Sequence, residues 1–278
     1  LSSGYESNIS GWLNNSFLKN KVQKVSDEKI DSVDGIFHLA AQASVPYSMQ
    51  NFFNSSENNL LSSLKVFSWA KAHNIPVVYA SSSAVYGNLP IGDDQTEKYD
   101  ILSPYAQDKL TLEHYARTCW NIYKTPSIGL RFFNVYGPRQ DPTNQYSGVI
   151  SIFINRLMQN KSVNVNGGYQ TRDFIYVDDI VRVMIKSMKH LLSNRSCDVF
   201  NVGTGVSVAI DQLLAILAEI LKVEPEVKIK ELPPGDPEKS AGTYKKLATA
   251  LNIDIDQFAK LEDGLRNTIN YIKNEQSK

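Results

Sequence analysis

Short, continuous apolar runs that alternate with helical patterns restrict the fold of this chain more than any other feature. The runs are "GIFHLAA" (35–41), "IPVVYASS" (75–82) and "SIGLRFFNV" (127–135). Strands of a parallel sheet are buried on both faces, so their sequences are continuous rather than alternating. Leu60, Leu64 and Phe67 repeat at helical spacing between the first two runs, and a second helical pattern, which starts near "SPYAQDK", lies between the last two. This order predicts an α/β fold with a doubly wound parallel sheet.

The second half of the chain has a different pattern. It predicts a helix near 149–160, a helix that begins at Asp178 or Asp179, a strongly apolar helix at 210–222 and a polar segment, "LPPGDPEKS". We therefore expect a Rossmann-like domain over residues 1–145, to which residues 171–205 partly return. Residues 146–170 and 206–278 are expected to form a smaller α/β lobe.

Composition excludes several classes of function. Among 278 residues, Lys plus Arg equals Asp plus Glu at 29 each, so the chain offers no basic footprint for nucleic acid and no polybasic membrane patch. No apolar run approaches the roughly 20 residues of a membrane span, and no signal peptide opens the sequence. Cys119 and Cys197 have no metal-type spacing, which fits a reducing compartment and predicts no metal site. We expect a cytoplasmic protein that recognises its ligand at a local site.

The candidate site lies where the predicted strands end, because open α/β sheets bind ligands at their carboxyl edge. The second strand ends in hydroxyls, Ser81 to Ser83, and "SPYAQDK" places Tyr105 and Lys109 one helical turn apart at a helix start. A hydroxyl, a phenol and an ammonium can converge there on one substrate atom. The simpler interpretation is a loop of serines beside an ordinary helix, with a surface tyrosine and a solvated lysine.

An ordered series of motifs carries a family resemblance: "HLAAQASVP", "SSSAVYG", "SPYAQDK", "RFFNVYGPRQDP", "TRDFIYVDDI", "NVGTG" and "PGDPEKS". The series resembles the NAD-dependent epimerase/dehydratase family, the extended short-chain dehydrogenases that modify nucleotide sugars, and it covers residues 1 to about 245. "SVP" and "YGPRQDP" make the chain most similar to UDP-N-acetylglucosamine 4-epimerases. The resemblance implies NAD as cofactor and interconversion of UDP-N-acetylglucosamine and UDP-N-acetylgalactosamine through a 4-keto sugar. UDP-glucose and UDP-galactose are a further implied pair.

The resemblance also implies roles for individual residues. Tyr105 is the implied base on the sugar 4-hydroxyl, with the hydride moving from C4 to nicotinamide. Lys109 and the positive nicotinamide ring should lower the pKa of Tyr105, and Lys109 should also bind the nicotinamide ribose. Ser82 is expected to bridge the sugar oxygen and Tyr105, with help from Ser83. The implied cofactor-binding residues are Ser3, Gly4, Leu39, Ala40, Ala41, Asn59, Tyr105, Lys109 and Phe132. The implied substrate-binding residues are Ser44, Asn134, Arg172, Asp236 and Ser240.

Three of the substrate-binding residues have specific expected tasks. Asn134 and Arg172 match positions that hold the pyrophosphate, although Asn134 could instead cap a turn and Arg172 could pair with Asp173. Ser240 matches a position on the sugar-pocket wall where enzymes restricted to unacetylated hexoses carry Tyr, so Ser leaves room for an N-acetyl group. The other interpretation of Ser240 is a surface residue in a polar hinge.

The chain also departs from the family pattern. The strand, Gly-rich turn and helix that bind the cofactor pyrophosphate, and the acidic residue that follows them, have no counterpart before "LSSGYESNI". We expect that the sequence is incomplete at this end rather than that the protein is a truncated form. Pro233 stands where relatives carry an Arg that touches the nucleotide.

Two other enzymes and one binding protein are alternatives. A 4,6-dehydratase carries Asp-Glu, and a decarboxylase Glu, just after the catalytic hydroxyl, where this chain has Ser83 and Ala84. A non-catalytic remnant that binds a nucleotide sugar is the third alternative. The resemblance further implies a homodimer in which the helices after residues 52 and 104 pair across a two-fold axis as a four-helix bundle.

Overall fold

The computed structural model describes residues 33–141, 148–233 and 235–276. Nine strands lie in these ranges: β1 (Ile36–His38), β2 (Val77–Ser82), β3 (Ser127–Phe132), β4 (Asn134–Tyr136), β5 (Val163–Asn166), β6 (Thr171–Tyr176), β7 (Cys197–Val202), β8 (Ser207–Ala209) and β9 (Val227–Lys230). The largest sheet has the order β1-β2-β3-β7, and all of its strands run parallel. The predicted α/β fold with a parallel sheet is therefore confirmed, and the carboxyl ends of these four strands share one edge.

Helices cover both faces of this main sheet. The helices within the described ranges are α1 (Val45–Gln50), α2 (Phe52–Ser56), α3 (Ser62–His73), α4 (Pro104–Tyr123), α5 (Val149–Met158), α6 (Val177–Ser193), α7 (Ile210–Leu221), α8 (Lys245–Leu251) and α9 (Leu261–Gln276). Val77 and Tyr79 of β2 pack with α3 and α4, whereas Val78 packs with α6. Side chains alternate along a strand, so the two helical layers lie on opposite faces. None of the described helices is both long and apolar enough to span a bilayer.

The helical segment between β1 and β2 is divided into more pieces than the helical pattern predicts. After α1 and α2, residues Glu57–Leu61 form a π-helical turn that leads into α3. Ser62 and Ser63 at the start of α3 donate their hydroxyls to the backbone carbonyls of Asn58 and Asn59. Hydroxyls that bond back to the preceding turn compete with the regular helical ladder. The turn places the Asn59 side chain against the loop that follows β1.

A second packing centre lies beside the main sheet. Strands β4, β6 and β8 form a three-stranded sheet, and β5 pairs with β9. Phe153 of α5, Leu213 of α7 and Leu265 of α9 are buried in one cluster with residues of β5 and β6. By contrast, Leu247 and Leu251 of α8 pack with the main sheet, although they belong to the predicted lobe of residues 206–278. The division into two domains stays a prediction.

Candidate functional site

A cavity of about 370 Å³ opens where β2 and β3 end. One wall comes from the ends of these strands and from the start of α4. The lining also includes residues 233, 235–237 and 239–241, together with Arg172 of β6. The predicted site residues that line the cavity are Ser82, Ser83, Tyr105, Phe132, Asn134, Arg172, Asp236 and Ser240. The fold thus brings eight residues from five separate segments of the sequence to one concave surface.

Ser82 is positioned by the end of β2. Its hydroxyl caps the short 3₁₀ helix Ser83–Tyr86 by accepting a hydrogen bond from the backbone N–H of Ala84 at 3.1 Å. The same side chain hydrogen-bonds with the phenol of Tyr105. A strand end followed at once by a capped turn therefore holds the hydroxyl beside Tyr105.

Tyr105 is held by the first turn of α4. Ser103 accepts a hydrogen bond from the backbone N–H of Ala106 at 3.2 Å, and Pro104 occupies the first helical position. The backbone N–H of Tyr105 donates to the hydroxyl of Ser48 in α1 at 3.3 Å. The predicted helix start is therefore present, and it fixes a buried phenol at the cavity wall.

Lys109 lies one turn further along α4. Its ammonium is buried, donates to the backbone carbonyl of Ala80 at 2.7 Å and lies 5.7 Å from the centroid of the Tyr105 ring. Burial lowers the pKa of Lys109 to about 8. The ammonium is directed to β2, beneath the cavity, rather than into it.

The expected role of Lys109 in lowering the pKa of Tyr105 stays a prediction, since Lys109 is not among the groups that shift this pKa in the structure. Burial raises the pKa of the Tyr105 phenol, the hydrogen bond with Ser82 lowers it, and the negative charge of Asp108 raises it. The Lys109 ammonium lies 5.7 Å from the centroid of the Tyr105 ring and donates its hydrogen bond to the backbone carbonyl of Ala80 instead. Within the protein alone, Ser82 is the group that favours the phenolate.

Four of the cofactor candidates, Leu39, Ala40, Ala41 and Asn59, lie around the end of β1 and outside the cavity lining, whereas Tyr105 and Phe132 belong to that lining. Leu39, Ala40 and Ala41 are exposed at the carboxyl edge of the sheet. The side chain of Asn59 accepts from the backbone N–H of Gln42 at 2.8 Å and so fixes the loop that follows. An exposed loop with two small side chains at a sheet's carboxyl edge fits a dinucleotide that approaches the backbone closely. Ser3 and Gly4 lie outside the described residues.

Asn59 and Lys109 connect this loop to α4. The amide nitrogen of Asn59 donates to Asp108 at 3.1 Å. Lys109, the next residue, has three N–H donors, one of which is used by Ala80. The donors and the small side chains together fit NAD, which Lys109, Ala40 and Ala41 would hold.

The structure pairs Arg172 differently from the expected alternative. Its guanidinium donates to the backbone carbonyl of Thr171 at 2.8 Å and forms an ion pair with Asp236, not with Asp173. The side-chain nitrogen of Asn134 donates to the backbone carbonyl of Asp173 at 3.3 Å. Arg172, Asn134 and Asp236 therefore face the cavity as one polar group.

Ser44 is the predicted substrate-binding residue that does not line the cavity. It is buried, and its hydroxyl caps α1 by accepting from the backbone N–H of Tyr47 at 3.1 Å. Its neighbours Ala43 and Val45 reach the cavity wall instead. The role of Ser44 in substrate binding stays a prediction, and in this structure its side chain serves as a helix cap.

A buried ionic network beneath the cavity was not predicted. Arg131 of β3 donates to Glu113 of α4 at 2.9 and 2.6 Å, and Ser81 donates to the same carboxylate. Arg131 also donates to the hydroxyl of Tyr86 at 2.6 Å. The available signal was a charged residue inside the apolar run "GLRFF". The network ties the residue before Ser82 to the helix that carries Tyr105.

Asp173 is a second buried group that was not predicted as a site residue. It accepts hydrogen bonds from the backbone N–H groups of Thr204 and Gly205 at 2.9 and 2.8 Å, and from the hydroxyl of Tyr244 at 2.5 Å. These bonds join β6 to the loop after β7 and to the start of α8. Asp173 thereby fixes the backbone next to Arg172.

Comparison with known proteins identifies the family of the chain. The model of the NAD dependent epimerase/dehydratase family matches residues 16–203. A UDP-N-acetylglucosamine 4-epimerase from Methanobrevibacter ruminantium M1, solved with UDP-N-acetylmuramic acid, is 35% identical with a TM-score of 0.90, and the match covers 99% of this chain and 89% of that one.

Two further solved structures are similar. A UDP-glucose 4-epimerase from Thermotoga maritima, solved with UDP-glucose, is 32% identical with a TM-score of 0.80, covering 87% of this chain and 78% of that one. A UDP-glucuronic acid 4-epimerase from Bacillus cereus, solved with UDP-glucuronic acid and NAD, is 26% identical with a TM-score of 0.87, covering 97% and 86%. Since the family model matches more than half of the chain, this protein is an enzyme of the NAD-dependent epimerase/dehydratase family.

Proposed function

We propose that this protein is a nucleotide-sugar 4-epimerase that interconverts UDP-N-acetylglucosamine and UDP-N-acetylgalactosamine through a 4-keto sugar, and that it also accepts UDP-glucose and UDP-galactose. The observation that carries the proposal is the hydrogen-bonded Ser82–Tyr105 pair on a cavity wall that faces Arg172 and Ser240. One side thus supplies groups for proton transfer. The other supplies a guanidinium for the nucleotide diphosphate.

Tyr105 is the proposed base for the sugar 4-hydroxyl. Its phenol faces the cavity and accepts the hydroxyl proton, while Ser82 hydrogen-bonds to the oxygen that loses it. Because burial raises the pKa of Tyr105, the phenolate needs stabilisation, which the Ser82 hydroxyl gives directly. NAD, when bound, would supply the hydride acceptor and donor for C4, and Tyr105 would return the proton to the C4 oxygen when the keto sugar is reduced. We propose that Lys109, which lies beneath the Tyr105 ring, orients the ribose of NAD.

Epimerisation requires a fixed nucleotide and a loosely held sugar. Arg172 and Asn134 are proposed to hold the diphosphate, because a guanidinium matches phosphate geometry. Asp236 is paired with Arg172 in the structure. When the diphosphate binds, the Arg172 guanidinium would either contact both Asp236 and the diphosphate or leave Asp236. Small side chains, Ser83 and Ser240, line the same cavity and leave space in which a keto sugar can turn over.

The dehydratase and decarboxylase alternatives gain no support from the cavity. Both require a carboxylate just after the catalytic hydroxyl, and Ser83 and Ala84 line the cavity there. Among the described residues of the lining, Asp236 is the one carboxylate, and it is paired with Arg172. A non-catalytic binding protein would not need the Ser82–Tyr105 pair.

Proton NMR tests the proposal directly. UDP-N-acetylglucosamine is incubated with the full-length protein and NAD, and the anomeric signals are followed with time. We expect signals of the galacto isomer to grow to a constant ratio with those of the gluco isomer. Retention of the pure gluco isomer, or formation of a 6-deoxy or decarboxylated sugar, would contradict the 4-epimerase assignment.

A homodimer is also part of the proposal. Large apolar side chains are exposed on the helices expected to pair, with Phe52 and Phe53 of α2 at 63% and 70% and Ile122 of α4 at 63%. Pairing these helices across a two-fold axis would cover these exposed apolar side chains. Sedimentation velocity at micromolar concentration should show a dimer. A monomer under these conditions would contradict this part of the proposal.

We further propose a cytoplasmic location. Cys119 and Cys197 are both free thiols in the structure. Unpaired cysteines are typical of a reducing compartment. Fractionation of cells that express the protein, followed by immunoblotting, checks this location.

A further inference from the structure

The charged side chains of the cavity wall are unequally paired. Within the described part of the lining they are Arg172, Asp236 and Lys239. Arg172 and Asp236 form an ion pair with each other. Lys239 forms no hydrogen bond or ion pair with the residues that the structure describes, and its side chain is exposed. The wall therefore carries one uncompensated positive charge, which lies on Lys239.

Lys239 is held in place by its backbone neighbours. The backbone N–H of Thr171 donates to the carbonyl of Glu238 at 2.9 Å, and the N–H of Ser240 donates to the carbonyl of Thr171 at 3.1 Å. This is the hydrogen-bond pattern of a parallel bridge, in which Lys239 lies opposite Thr171. The residue is thus fixed beside the strand that carries Arg172, while its long side chain remains free to move at the cavity rim.

The chemistry of a nucleotide sugar matches an additional cation at this place. Both phosphates of the diphosphate carry negative charge, whereas the Arg172–Asp236 pair is neutral overall. A lysine ammonium is a compact point charge on a flexible stem, so it suits phosphate or carboxylate oxygens that approach from the open side. A charged ligand at the rim would also be attracted before it enters the cavity.

We propose that Lys239 binds an anionic group of the substrate, either the diphosphate or a carboxylate on the sugar. The inference rests on the proposed function, because it takes a nucleotide sugar as the ligand. It assigns Lys239 to binding rather than to proton transfer. The side chain at position 239 then influences which nucleotide sugars the enzyme prefers.

The test compares Lys239→Met with Lys239→Arg in the full-length protein with NAD. The first variant keeps the length of the side chain and removes its charge, and the second keeps the charge. Lys189→Met is the matched control, since Lys189 is an exposed lysine of α6 outside the cavity lining. Titration calorimetry with UDP, UDP-N-acetylglucosamine and UDP-glucuronate measures Kd for each protein at low and at high salt.

We expect Lys239→Met to weaken binding by about three- to tenfold at low salt, the range for an exposed but charge-assisted contact. The loss of affinity should be smaller at high salt, because salt screens the charge of Lys239. The Kd values of Lys239→Arg, which retains the charge, and of Lys189→Met, which lies outside the cavity lining, should stay within about twofold of the parent value. An equal loss for all three ligands assigns Lys239 to the diphosphate. A loss confined to UDP-glucuronate assigns it to a sugar carboxylate.

Two results would overturn the inference while leaving the proposed function intact. One is unchanged affinity of Lys239→Met for all three ligands. The other is an equal loss in Lys189→Met, which would indicate a general effect of net charge. A parent protein that binds none of the three ligands would instead contradict the proposed function itself.

Discussion

Replacing Glu113 with Gln should destabilise the protein strongly, because this carboxylate is buried against a guanidinium. Arg131 donates to Glu113 from Nε at 2.9 Å and from Nη2 at 2.6 Å, and the two side chains are only 3% and 4% exposed. Ser81 donates to the same carboxylate, while the hydroxyls of Tyr86 and Tyr99 accept from Arg131. Burial by itself would lower the pKa of Arg131, but the hydrogen bonds and charge of Glu113 raise it above its ordinary value.

The magnitude follows from what remains after the substitution. Arginine does not lose its proton in proteins, so Glu113→Gln leaves a buried positive charge without its counter-charge. Breaking a buried pair in this way costs about 3 to 5 kcal/mol, and Gln retains one acceptor oxygen, so we expect about 3 kcal/mol. A double variant, Glu113→Met with Arg131→Met, removes both charges. It should be more stable than Glu113→Gln, because no buried charge is left without its partner.

Urea unfolding, followed by the fluorescence of the three tryptophans, measures these differences by linear extrapolation. Glu97→Gln is the matched control. Its partner is Arg117, and the side chains of this pair are 73% and 61% exposed, so the unfolding free energy should change by less than about 1 kcal/mol. The reasoning fails if Glu113→Gln also loses less than about 1 kcal/mol, the loss for an exposed pair. It fails equally if the double variant is less stable than Glu113→Gln.

Three further predictions concern the site and its surroundings. Tyr105→Phe should lower turnover by about 100- to 10,000-fold, as expected for the loss of a general base, while the free energy of unfolding changes little. Steady-state kinetics measure the turnover, and more than about a hundredth of the activity remaining would reject that role. Ser240→Tyr should lower turnover of UDP-N-acetylglucosamine far more than turnover of UDP-glucose, because the tyrosine ring fills space that only the acetylated sugar needs. Equal effects on both substrates would contradict a role of Ser240 in accommodating the N-acetyl group. Burial first, and then the charge of Lys109, lower the pKa of His38 from 6.5 to about 4, so the unfolded chain binds an extra proton in this window. Stability should therefore fall as the pH drops from about 6.5 to about 4, and His38→Gln should make urea midpoints less sensitive to pH in this range.

The strands and the start of α4 could be predicted from the sequence because their signals are local. Continuous apolar runs marked β1, β2 and β3, and Ser103 followed by Pro104 marked the first turn of α4. The pattern did not predict that the helix before β2 is interrupted by the π-helical turn Glu57–Leu61. Ser62 and Ser63 form side-chain to backbone hydrogen bonds at this turn, and such bonds leave no mark on the apolar spacing.

The placement of Ser82 beside Tyr105 was foreseeable for the same reason, since a strand end and a helix start are both local features. Pairings between distant residues were not. Arg172 pairs with Asp236, 64 residues away, and not with its neighbour Asp173. The Ser44 hydroxyl caps a helix. Such choices depend on which groups the folded backbone brings within hydrogen-bond distance and on how deeply it buries them. The sequence by itself therefore determined the α/β class and the hydroxyl–phenol pair. Only the tertiary structure decided the ion pairs and the burial that shifts the pKa of Tyr105, because both are properties of neighbours that are remote in the chain.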